Sequence, residues 1–307
     1  MLAPPAARSW DIAGSTHPRY GWDQKYIVQH RQLFSPWFFA KNCAAVLGHV
    51  RANGRTRLMD EMSDYLLSVA EPHIETLGSF RYVRNDFEYS FLWHKFRKPF
   101  YGAFMNSVTA FGLLQLYEAT GMERLILLAD RLLMSCCSAD GPIPLCSGNG
   151  HDFWLHEYVF RSDGGPVEFS VCGDWNLARI YNGHMHALFG FLRFQAMTSV
   201  ADYDSTIDKA TATMAHWLPL QCYDGRYFSY SPDMPIYPDY GQERAVRLAE
   251  GLGALMENST ISGAGAAMRE LFCMTIAGHE KELIDTGIVE AKKQYAALLR
   301  RANARVS

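Results

Sequence analysis

Apolar residues recur at three- and four-residue spacing along most of the 307-residue chain, so helical periodicity dominates. The pattern predicts a helix over 37–53 that ends at Gly54, and another over 57–70 that stops before Pro72. A second pair is predicted over 101–120, ending at Gly121, and over 122–137. A third pair spans 182–198 and 203–218, with Pro219 following closely. Helices over 240–258 and 264–277 and an amphipathic helix from about 280 to 301 complete the series. Between the pairs lie short alternating stretches, over 80–93, 142–146, 153–160, 167–171 and 226–230, each flanked by Gly, Pro or Asp as strands are. Helical hairpins whose loops carry small strands at one end close naturally into a ring. The expected fold is therefore mainly α: an α/α toroid of helical hairpins (an incomplete barrel) with short β-hairpins rimming a central cleft. A multi-helix bundle is the rival architecture. No linker rich in Pro, Ser or Gly cuts the chain, so 1–307 reads as a single domain, with an extended segment over 1–30 and the amphipathic helix within 280–307.

Composition narrows the class. A hydrophobic content of 49% and a charged content of 20% are those of a globular protein with a core. A net charge of -3 offers no general attraction for nucleic acid, so a polyanionic substrate would need a local basic groove. No run of apolar residues is long enough for a membrane span, and the first 14 residues carry no export signal, so a cytoplasmic location is expected. The 7 cysteines are irregularly spaced, which suits reduced, mostly buried thiols. No metal-ligand spacing is present, and His184 and His186 stand two apart on a helix, facing different ways. No metal or other cofactor is expected. The final helix could cap the toroid or pair with a second copy of the chain in a homodimer.

Chemistry concentrates in two clusters. The first is Phe153-Trp154-Leu155-His156-Glu157-Tyr158, followed by Tyr181-Asn182-Gly183-His184 at the start of a helix. A carboxylate beside a phenol on a turn can take one proton as base and offer another as acid. The alternative reading makes Tyr158 a half-buried strand aromatic with Glu157 facing water. The second cluster is Asp224-Gly225-Arg226-Tyr227-Phe228-Ser229-Tyr230, followed by Tyr237-Pro238-Asp239-Tyr240-Gly241-Gln242-Glu243-Arg244. Asp239 with Gln242 three residues on has the form of a capping box, which sets Tyr240 in the first turn of a helix. Tyrosines beside arginines suit stacking on sugar rings and hydrogen bonding to carboxylates. A third stretch carries Arg81, Arg84, His94, Lys95, Arg97 and Lys98 as a candidate anion groove, with Glu88 and Tyr89 as another acid–phenol pair.

The order of HDFWLHEY, YNGHMHALFGF and DGRYFSY…YPDYGQER resembles the C-terminal catalytic domain of D-glucuronyl C5-epimerases, over roughly residues 80–255. In that family an acidic-aromatic run ends in Glu-Tyr, an Asn-Gly opens a helix, and an Asp-Tyr starts a later one. The resemblance implies catalytic roles for Glu157, Tyr158 and Tyr240, and substrate contacts from Tyr227 or Tyr230. Departures are Val159 where the family has proline, the Gly164-Gly165-Pro166 insertion, and Gly241-Gln242 in place of histidines.

The implied reaction inverts C5 of a uronate: a weakly acidic C–H beside a carboxylate is deprotonated and the carbon is reprotonated on the opposite face. Glu157 is the expected base and Tyr240 the expected acid. Tyr158, Tyr227 and Tyr230 would bind and polarise the substrate, with Arg226 and Arg244 stabilising the enolate, and Asn182, Arg84 and Tyr89 as further substrate-binding residues. The expected partner is a uronic-acid-containing glycan or a small glycoside. The alternatives are a polysaccharide lyase or unsaturated-uronide hydrolase on a similar toroid, a secondary-metabolism enzyme using the domain on a small substrate, and a carbohydrate-binding scaffold without catalysis.

Overall fold

A computed structural model describes residues 34–91, 94–161, 170–217, 222–223, 227–228 and 231–233. The predicted helices over 240–258, 264–277 and 280–301 and the segment 1–30 lie outside these residues.

Six described helices form three hairpins: α1 (Pro36–Asn53) with α2 (Arg57–Ala70), α3 (Ala103–Thr120) with α4 (Glu123–Cys137), and α5 (Tyr181–Thr198) with α6 (Asp204–Trp217). Local signals set their ends. Pro36 opens α1 at a position that needs no N–H donor, and the hydroxyl of Thr56 accepts from the Met59 N–H to cap α2. Gly121 closes α3 in the left-handed conformation, at φ 72°, and returns the chain into α4.

Helix α3 is buried almost all round, with α1 and α5 on its two sides and α4 behind it. At one end of this row Trp37 of α1 and Phe104 of α3 both contact His186 of α5, with ring centroids 5.1 and 5.4 Å apart. At the other end Glu118 of α3 accepts from Arg51 of α1 and Arg193 of α5. The first helices of the three hairpins are therefore parallel, with α3 in the middle, and α2, α4 and α6 run back against them. Close approach within the row depends on small residues. A Cβ on Gly112 would meet the Phe39 ring and Ala40, and one on Gly190 would meet Ser107 and Leu133. Asn106 of α3 is wholly buried and saturated: its Oδ1 accepts from Val83 N–H at 2.8 Å, and its Nδ2 donates to the Arg81 and Leu132 carbonyls at 2.8 and 3.0 Å.

The strands follow α2, α4 and α6, and so collect where α3 and α5 begin. After α2 come the hairpins β1 (Ile74–Leu77) with β2 (Phe80–Val83) and β3 (Tyr89–Phe91) with β4 (His94–Phe96). After α4, β5 (Cys146–Ser147) pairs with β6 (Trp154–Leu155). A three-stranded antiparallel sheet follows, in the order β7 (Tyr158–Arg161), β9 (Trp175–Ala178), β8 (Ser170–Cys172). The last pair is β10 (Cys222–Tyr223) with β11 (Tyr227–Phe228).

Mainly helical hairpins with small antiparallel sheets at one end are what the hydrophobic pattern predicts, and the six described helices match the predicted ranges within two residues. The described residues show helical hairpins packed through α3, and they do not by themselves show a closed ring. The strands differ more. The stretch expected over 80–93 is divided between β2 and β3, 153–160 is divided between β6 and β7, and β1, β4, β9 and β10 were not anticipated. Of the cysteines, Cys43, Cys136 and Cys146 are buried as expected, Cys137 is half-buried and Cys172 is exposed. No described helix is long and apolar enough to cross a membrane.

Candidate functional site

The break between β6 and β7 places Glu157. Here the backbone leaves its strand partners to close the start of α3. The His156 carbonyl accepts from Ala103 N–H at 2.7 Å, and Tyr101 and Val159 exchange hydrogen bonds at 2.7 and 2.8 Å. Gly102 presses on this turn so closely that a Cβ there would land on the Glu157 carbonyl. The Glu157 N–H meanwhile donates to the Ala178 carbonyl, at the end of β9 and just before α5.

The Glu157 side chain then lies over the first turn of α5. A Cβ on Gly183 would meet Glu157 Cβ, and would stand 2.6 Å from both Cγ and Oε2. The Asn182-Gly183 pair thus supplies a seat for this carboxyl group. Glu157 is 7% exposed, and it sits where the positive ends of α3 and α5 favour negative charge. Both readings of this pair are corrected as to exposure: the turn is not exposed and Glu157 does not face water, because the turn is packed between two helix starts, while Tyr158 is a strand aromatic as the second reading has it.

Histidines frame the seat, and burial holds two of them, His184 and His156, below the ordinary imidazole range. Leu155 N–H donates to His184 Nδ1 at 3.0 Å, so the ring proton is on Nε2, which donates to the Ala210 carbonyl at 3.1 Å. Burial lowers His184 to about 4, although its bond to the Ala210 carbonyl opposes the shift. Burial likewise lowers His156, which is 2.7 Å from Ser147 Oγ through Nε2, to about 3. His186 donates from Nδ1 to the Asn182 carbonyl at 2.7 Å. The two histidines of α5 face different surroundings, as their spacing predicts.

A charged cluster adjoins the start of α5. Arg179 Nε lies 3.0 and 3.1 Å from the two carboxylate oxygens of Asp233, its Nη2 also contacts Asp233, and its Nη1 is 3.2 Å from Asp152. The guanidinium is over the rings of Trp154 and Trp217, 5.7 and 5.9 Å from their centroids. The Asp233 hydrogen bonds raise the Arg179 pKa against the opposing effect of burial. This ion pair ties residues 231–233, immediately after the tyrosine-rich stretch, to the helix start beside Glu157.

The predicted site residues fall into groups. Glu157 and Asn182 are brought together. The Tyr158 ring instead joins an aromatic cluster with Tyr89, Phe96 and Phe100, at centroid distances of 5.6, 5.0 and 6.1 Å, so Tyr158 and Tyr89 are neighbours. Arg84 is paired with Asp86 at 2.9 Å on the exposed side of the β1–β2 hairpin. The Arg81 guanidinium donates to the Gly78 and Phe80 carbonyls, so two cations of the proposed anion groove have local partners. Tyr227 is described through its backbone in β11, and Arg226, Tyr230, Tyr240 and Arg244 lie outside the described residues.

Asp152, Arg179, Asp233, His186 and Trp37 were not anticipated. Only His186 had a legible signal, four residues beyond Asn182 on one helix face. The Arg179–Asp233 pair joins positions 54 apart in sequence, with no local cue.

No family model matches this sequence, and no curated protein matches it. Among solved structures, a GH76 alpha-mannanase from Bacteroides thetaiotaomicron aligns with a TM-score of 0.45 and 14% sequence identity. The alignment covers 76% of this chain and 55% of that one, so the chain spans little more than half the length of that structure. A match at that level assigns neither a family nor an activity.

Proposed function

We propose that this chain is a C5-epimerase of a glucuronate-type residue, with Glu157 as the base. The observation that supports the reading is the seat of Glu157: a buried carboxyl group at the starts of two helices, over a glycine that leaves room for it. The sequence resemblance, which rests on the same Glu-Tyr and Asn-Gly, points to the same residue. In the reaction, Glu157 takes the C5 proton and the electron pair moves into the substrate carboxylate. Tyr240 then delivers a proton to C5 from the opposite face, leaving carbon in its original oxidation state. Tyr158, Tyr227 and Tyr230 bind and orient the sugar, and Arg226, Arg244 and Asn182 meet its carboxylate and hydroxyls. The Arg179–Asp233 pair supports this assignment by tying Asp233, which follows the tyrosine-rich stretch in sequence, to the residue two before α5.

The test is proton NMR in deuterated water with a glucuronate-containing oligosaccharide. Loss of the C5 proton signal with new iduronate resonances is expected from the wild-type chain. Glu157→Gln should lower exchange by about 10²–10⁴-fold while the fold is retained. Undiminished exchange in that variant would remove Glu157 from the mechanism. Ultraviolet absorbance from an unsaturated uronate, in place of iduronate, would identify a lyase.

A further inference from the structure

Among the described residues, four large hydrophobic side chains are exposed: Trp37, Leu127, Val171 and Val200. Trp37 is the aromatic one, 42% exposed, in the first turn of α1. Single exposed apolar residues are ordinary. This one stands at the end of the helical row that carries Glu157. Its indole meets the His186 ring edge-on at 5.1 Å, and His186 donates to the carbonyl of Asn182, the residue before the glycine under Glu157. The Asn182 side chain is 7% exposed, and its Oδ1 has no hydrogen-bond partner among the described residues.

One turn below Trp37, at i+4 on the same face of α1, is Lys41, which is exposed and in no ion pair among the described residues. The next residues on this face are Ala44 and Gly48, both exposed and too small to cover it. The opposite face, with Phe39, Cys43, Val46 and Leu47, is in the core. The outward face of α1 thus presents an exposed indole followed by a cation, at the same end of the helical row as the Glu157 turn.

We propose that Trp37 and Lys41 form a binding subsite for a second acidic sugar residue of the same chain as the one held at Glu157. The indole stacks on the C–H face of the pyranose and the ammonium pairs with its carboxylate. An indole alone would accept any sugar, and a lysine alone any anion. The two at one-turn spacing select a uronate within a chain. The inference rests on the reading of the Glu157 site as uronate-directed, and extends it to a polymeric or oligomeric substrate.

Binding can be separated from turnover by using the Glu157→Gln chain in calorimetric titrations with a hexasaccharide of alternating glucuronate and N-acetylglucosamine. The carboxyl-reduced hexasaccharide serves as a neutral comparison. Adding Trp37→Ala should weaken binding of both by about tenfold. Adding Lys41→Met should weaken the acidic ligand alone, by about three- to fivefold, and remove part of its salt dependence. Circular dichroism and the thermal midpoint should be little changed, because both side chains are exposed. Unchanged affinities in both variants, or an equal loss for both ligands with Lys41→Met, would overturn the subsite. If the Trp37 and Lys41 dependences appear but the wild-type chain exchanges no C5 proton, the subsite stands and the epimerase reading falls. If exchange occurs with affinities unaltered by either substitution, the reverse holds.

Discussion

Gly183 and Glu157 depend on each other. A methyl group at Gly183 would stand less than 3.0 Å from Glu157 Cβ, Cγ and Oε2, and the neighbouring helix backbone leaves the carboxyl group as the part able to move. Gly183→Ala is therefore expected to cost about 1–3 kcal/mol, as overpacking of a filled site does, and to push the carboxylate out of its seat. The chemical-denaturation midpoint and the C5 exchange rate should fall together. A variant that loses neither would show that the tight seat is dispensable. The Asn-Gly was visible in the sequence as a helix opening, but the reason for its glycine was not, since the atom it accommodates belongs to a residue 26 positions earlier (183 − 157 = 26). The burial of Tyr158 was hidden for a similar reason: its neighbours Tyr89, Phe96 and Phe100 come from other strands and loops.

Helix ends were legible because their causes are local. Pro36, Thr56 and Gly121 act within one turn, and the predicted boundaries follow them closely. Strands were less so, because a strand ends where its partner ends. The stretch over 153–160 has the alternation of one strand, yet it breaks at His156 and Glu157 so that the His156 carbonyl can serve Ala103 at the start of α3. How the helices associate also depends on contacts distant in sequence. Glu118 joins α1, α3 and α5 by accepting from Arg51 and Arg193 at the end opposite the site. These side chains are partly exposed, so Glu118→Ala should cost no more than about 1 kcal/mol. The loss should shrink at high salt, as measured by urea midpoints at low and high ionic strength, because screening weakens exposed pairs. A larger, salt-independent loss would mean that packing of the Glu118 stem, rather than charge, joins the row.

The molecule as a whole should lose stability in mild acid through its buried histidines. His184 and His156 are lowered by burial to about 4 and about 3, against about 6.5 in the unfolded chain. Above 6.5 both are neutral in either state, and their full contribution is present. As pH falls from 6.5 toward 4 the unfolded chain takes up protons that the folded chain refuses, so stability declines by up to about 1.4 kcal/mol per pH unit for each. Urea midpoints measured across this window should fall steeply, and His184→Gln should remove part of the slope. A variant with the wild-type slope would show that other groups carry the acid sensitivity. His184 holds β6, α5 and α6 together through Leu155 and Ala210, so its protonation would strike at the packing behind the Glu157 turn.

The sequence by itself determined the helical hairpins and their ends, the small strands between them, and the two clusters where carboxylate, phenol and guanidinium groups gather. Periodicity, caps and breakers act over a few residues, so one chain suffices to read them. Only the tertiary structure decided that α1, α3 and α5 lie side by side, that Glu157 is buried over Gly183 at two helix starts, and that Asp233 meets Arg179. Each of these joins residues far apart in sequence, where the outcome depends on which surfaces fit and which charges remain to be paired.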